Sequence, residues 1–164
     1  MAITYEPIAT QTLGSAAASV TFSSISGSYT DLVLVTNASN ASTDSAMYMQ
    51  FNTDTASNYS STRLSGDGTS ATSATTANTV FVVAGRANAT GSISANGIAQ
   101  IMNYSNTTTY KTTITRANNA ASISGAYVGM WRNTAAITSI LVYSANAANI
   151  SSGSTFTLYG IKSA

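Results

Sequence analysis

Gly153-Ser154-Thr155-Phe156-Thr157-Leu158-Tyr159-Gly160-Ile161 is the stretch whose alternation decides the fold. In an extended chain Phe156, Leu158 and Gly160 point to one face, and Thr157, Tyr159 and Ile161 to the other. Both faces carry groups worth burying. Such a strand belongs inside a sheet, packed on its inner face and partly covered outside. It reads as the last strand of a β-sandwich, laid among strands made much earlier in the chain.

The second half of the chain repeats the signal. Segments 98–104, 110–116, 126–132, 137–143 and 155–161 read as strands, with turn chemistry at Asn106-Thr107, Asn118-Asn119, Asn133-Thr134 and Gly153 between them. In the first half, 19–25, 46–52, 58–64 and 79–84 alternate. Asp31-Leu-Val-Leu-Val-Thr36 is a continuous apolar run of the kind found in central strands. Ala16-Ala17-Ala18 is too short for a helix beside Gly14 and Ser19.

About ten short strands without an amphipathic helix predict an all-β protein, an antiparallel sandwich of jelly-roll type. No internal repeat points to a propeller or β-helix. One domain over 1–164 is expected. Residues 1–13, with the only proline at Pro7, would form an N-terminal arm or edge strand. Residues 66–78 lack any bulky side chain and are expected to be a long polar loop. The expected core comprises Met47, Met49, Phe51, Phe81, Val83, Ile101, Ile114, Leu141, Phe156 and Leu158.

Composition narrows the chemistry. The 164-residue chain is long enough to bury roughly 70% of its unfolded surface. Hydrophobic content is 44%, but charged content is only 7%, against about 25% in an ordinary soluble domain. Ser, Thr, Asn and Gln supply the polarity. A net charge of +1, with Arg63, Arg86, Lys111, Arg116, Arg132 and Lys162 scattered along the chain, gives no phosphate-tracking patch, so no nucleic-acid partner is expected. So few charges favour self-association.

There are no cysteines and no apolar run long enough to span a membrane. Met1-Ala2-Ile3-Thr4 lacks the features of a secretion signal, so assembly in a cytoplasm is the expectation.

Histidine is absent, which removes Ser–His–Asp and Cys–His catalysis and the commonest zinc ligand. Five carboxylates remain: Glu6, Asp31, Asp44, Asp54 and Asp67. A glycosidase needs two of them across a cleft. Asp44 and Asp54, in loops flanking the Met47 strand, are the conceivable pair, although loop solvation is the preferred reading. Gly66-Asp67-Gly68 offers calcium a single acid where calcium takes 6–8 oxygens, so a turn is preferred there too.

Seven Asn-x-Ser/Thr triplets (Asn37, Asn40, Asn58, Asn88, Asn103, Asn106, Asn149) are what this composition produces by chance. Trp131 and the tyrosines, among them Tyr104, Tyr110, Tyr127, Tyr143 and Tyr159, sit in or beside expected strands. They suit a sandwich girdle more readily than a ligand platform. No enzyme, no cofactor and no metal site are expected.

The closing stretch resembles the end of a group of small bacteriophage virion proteins, notably from phages of aquatic bacteria and cyanobacteria. Tyr29-Thr-Asp-Leu-Val-Leu-Val35, Asn58-Tyr-Ser-Ser-Thr-Arg-Leu-Ser-Gly-Asp-Gly68 and Met102-Asn-Tyr-Ser-Asn-Thr-Thr-Thr-Tyr-Lys111 are similar as well, in order along the chain. The resemblance implies a β-sandwich assembling on the virion, commonly as a homotrimer, with the major capsid protein or tail proteins as partners. It implies no catalytic residue. A capsid decoration or cement protein is the first expectation. The alternative is a tail-fibre tip, knob or receptor-binding module holding a host glycan. Chain length favours the first, because a fibre tip needs an attachment shaft.

Overall fold

The computed structural model describes residues 4–42, 44–89, 94–119 and 123–162. It is all-β: twelve strands and, among the described residues, no helix. In chain order they are β1 (Tyr5–Thr12), β2 (Ser19–Phe22), β3 (Asp31–Asn40), β4 (Ser45–Phe51), β5 (Tyr59–Gly66), β6 (Ala71–Thr79), β7 (Val82–Ala89), β8 (Ala95–Met102), β9 (Lys111–Asn119), β10 (Ile123–Trp131), β11 (Ile140–Ser144) and β12 (Thr155–Ile161).

Two layers form. The long sheet runs β1-β12-β3-β8-β9-β10-β5-β6, antiparallel throughout. The short sheet is β2-β11-β4-β7. A two-residue parallel bridge, Ser39 with Asn88 and Asn40 with Ala89, ties the layers together. The two ends of the chain wrap as a paired ribbon, β1 on β12 in one layer and β2 on β11 in the other. This gives the sandwich its jelly-roll character.

Strand β12 sits inside the long sheet, between β1 and β3, with the expected alternation: Phe156 and Leu158 are fully buried. A Cβ on Gly160 would fall inside the Tyr29 ring, so only glycine lets that ring lie flat on the strand. Opposite, β4 contributes Met47, Met49 and Phe51, all fully buried. Phe51, Tyr59 and Trp131 form an aromatic trio with ring centroids 5.5–6.1 Å apart, worth about 0.5–1.5 kcal/mol per pair beyond area burial.

The edge of the short sheet, β7, runs against the inner face of β8, β9 and β10. At the crossing of β7 and β8, a Cβ on Gly97 would lie 2.9 Å from the Gly85 Cα. This approach dictates what lies beneath β7. Thr113 and Thr115 are buried, and the Thr115 hydroxyl donates to the Val83 carbonyl at 2.8 Å.

Three expectations are corrected. Residues 66–78 are not a loop: 71–79 is the edge strand β6, paired with β5, because β-branched threonines with exposed side chains need only backbone pairing to extend a sheet. Ile114 is not core; it is 45% exposed, since the small threonines on either side take the inward positions under β7. Phe81 and Leu141 are only half-buried. The N-terminal segment resolves as an edge strand, with a register shift between Pro7 and Ala9 next to the residue that has no N–H.

Candidate functional site

The five carboxylates are dispersed. Asp44 accepts from the Asn119 amide at 2.8 Å, while Asp54 accepts from Trp131 Nε1 at 2.8 Å and Asn58 Nδ2 at 3.0 Å. All seven residues of β4 lie between these two acids, on the order of 20 Å of extended chain, so they do not form a hydrolytic pair. Burial raises the Asp54 pKa, but hydrogen bonds from Asn58, Trp131 and the Ala56 N–H outweigh it, and the net shift is downward.

Asp67 makes the turn between β5 and β6. Its Oδ1 accepts the Ser70 and Thr69 N–H groups at 2.7 and 2.8 Å, and these bonds lower its pKa. Glu6 pairs with Lys162 at 2.7 Å, and Asp31 accepts from Gln100 and the Asn103 N–H. Among the described residues no three acids, histidines or cysteines gather around a point.

Two surfaces stand out instead, on opposite faces of the β9-β10-β5-β6 half of the long sheet. On the outer face, Leu64, Ile98, Met102, Ile114 and Val128 are 39–61% exposed. Register places Ile114 directly beside Val128, and it aligns Leu64, Ala126, Arg116 and Ile98 in the adjoining row. A groove of about 700 Å³ runs along Leu64, Ala126, Arg116 and Ile98, with Asn96, Asn118 and Ser124 at its rim. Arg116 is the one charged side chain in these rows. At the border lies β6, an edge strand whose residues 71–78 are all exposed and uncharged. Unguarded edges of this kind are templates for pairing with another chain.

On the inner face, beyond β7, lies a cleft of about 310 Å³. The long sheet supplies Ser61, Arg63, Ala74, Thr76 and Tyr127; the short sheet supplies Ala46, Tyr48, Phe81, Val83 and Arg86. Arg63 and Tyr127 are direct cross-strand partners, as are Ala46 and Arg86. Tyr48 and Phe81 stack with centroids 3.5 Å apart and planes 9° from parallel, walling one side. Burial pushes the Tyr48 pKa up, against the pull of the nearby Arg86 charge.

Sequence reasoning missed this cleft because it treated the six basic residues as scattered, and the fold brings two of them together. The available signal was parity: Arg63 shares its strand face with Tyr59, so a buried tyrosine implies an inward-facing arginine.

No family model and no curated protein matches the chain. Among solved structures, the crystal structure of Caenorhabditis elegans galectin LEC-6 is similar at a TM-score of 0.35 and 9% identity, over 91% of this chain and 94% of that one.

Proposed function

We propose that this protein is a bacteriophage virion structural protein, a decoration protein that reinforces the head shell as a homotrimer. The observation that carries the reading is the outer face of β9-β10-β5: an apolar, nearly uncharged surface bordered by the unguarded edge β6. An isolated soluble protein rarely leaves a contiguous apolar band and a bare edge together. A particle component covers both.

The two edges of the long sheet, β1 and β6, are the two segments with least core of their own. Joining β6 of one copy to β1 of the next is a head-to-tail contact, which closes into a ring where the rotation between copies completes a full turn. The apolar band then seats on the shell. Polar, uncharged edges meet without the desolvation penalty of buried ion pairs, and the resemblance to small virion proteins points the same way. The reading is of a binding and scaffolding protein, and among the described residues the carboxylates stand apart.

Quantitative mass spectrometry of purified virions that encode this chain tests the reading. Hundreds of copies per particle are expected for a shell protein. A few to a few dozen would move it to the tail, and absence from the particle would refute it.

A further inference from the structure

We infer that the cleft beyond β7 is an oxyanion-binding site, taking a carboxylate, sulfate or phosphate group between Arg63, Arg86 and Tyr127. The inference does not depend on where the protein sits on a particle.

Three of the residues lining this one cleft each carry a buried polar atom with no hydrogen-bond partner: Arg63 Nε, Arg86 Nε and the Tyr127 hydroxyl. Tyr127 is only 4% exposed. Buried donors are nearly always satisfied, and groups that are not call for a missing partner. Here the three residues, from β5, β7 and β10, all border the same cleft. Among the described residues, no carboxylate lines it.

Two arginines border the cleft and no acid does, so its positive charge is unbalanced. A bound water would satisfy a hydroxyl but would leave that charge unbalanced, whereas an anion answers both. Guanidinium forks match planar carboxylates and tetrahedral oxyanions through paired N–H donors, and a phenol O–H adds a third donor. Among functional pockets, about 300 Å³ is the lower end, room for one small anionic group or one acidic sugar unit. The stacked Tyr48–Phe81 wall offers an apolar ring face to the second of these.

The test is a titration of the full chain followed by NMR of the arginine Nε–Hε signals, using inorganic phosphate, sulfate, galacturonate and neutral galactose in turn. Saturable shifts of the Arg63 and Arg86 signals are expected with the anions. No shift is expected with galactose, nor for Arg132, which is already engaged by the Ser57 carbonyl. Arg86→Lys keeps the charge but loses the fork and should weaken binding at least tenfold. Tyr127→Phe, isosteric and safe for folding, should weaken it severalfold.

Tighter binding of galacturonate than of phosphate identifies an acidic sugar resting on the aromatic wall; equal or tighter phosphate identifies a free-anion site. Either outcome upholds the inference. The absence of saturable shifts with all three anions, or affinities unchanged in both variants, overturns it.

Discussion

The two halves of the long sheet obey opposite rules. Around β12 and β3 the inward residues are the large apolar ones: Phe156, Leu158, Leu32 and Leu34, all fully buried. Beneath β7 the pattern is turned over. Thr113, Thr115 and Gly129 lie inward there, with Tyr127, Trp131 and Tyr59 inward beside them, while Ile114, Val128 and Leu64 face out. The cause is what lies beneath. The first half meets side chains of the short sheet across an ordinary sandwich gap. The second half meets β7 so closely that the Thr115 hydroxyl bonds the Val83 carbonyl at 2.8 Å and a Cβ on Gly129 would lie 2.7 Å from Val82 Cγ1. Where β7 packs this closely on the sheet, small residues line the contact, and Ile114 and Val128 next to them face out. The first half is a core; the second presents an apolar band outward with a cleft behind it.

The comparison breaks most visibly at Phe156. Replacing it with alanine should cost about 3–5 kcal/mol in urea unfolding, because the side chain is fully buried in the half that behaves conventionally. A change near zero would remove the distinction between the halves. Asp54→Asn should cost about 1–3 kcal/mol at neutral pH, since it weakens charge-assisted bonds from Trp131 and Asn58. The folded pKa of Asp54 lies below the ordinary 3.8. Its contribution is therefore present above pH 3.8 and is lost as pH falls through the folded value, and the variant should show a shallower acid limb between those points.

At the other extreme of pH, Tyr48, Tyr59, Tyr104 and Tyr143 all have pKa values raised above the ordinary 10.0, with burial as the leading cause. A phenol whose folded pKa is raised contributes stability that is complete below pH 10.0 and declines as pH rises beyond it. Alkaline unfolding should begin there. Tyr59→Phe should flatten that limb in a pH series of denaturation midpoints. The smallest expected effect is Ile114→Thr, within about 0.5 kcal/mol of the parent for the isolated fold. A loss of several kcal/mol would return Ile114 to the core and refute the inversion.

Much of the fold was legible in the sequence where side chains meet side chains. The alternation of 155–161 identified a central strand, and Met47, Met49 and Phe51 were placed inward correctly. The region governed by β7 was less legible. Alternation says which residues share a face but not which face is inside, and Ile114 was assigned by hydrophobicity alone. The edge strand β6 carries no hydrophobic signal, because an exposed edge is held by its backbone bonds to β5. The cleft escaped for a topological reason: Arg63 and Arg86 lie on different sheets, and their meeting depends on the position of β7.

The proposed association through the outer half of the long sheet can be read from the mass of the purified protein in solution. Sedimentation equilibrium at tens of micromolar should give three times the 16.7 kDa chain mass. Ser73→Lys with Thr75→Lys, placing charges on the exposed β6 edge, should return the monomer mass with the fold intact. A parent that is monomeric at that concentration, or a trimer indifferent to both lysines, would contradict the account.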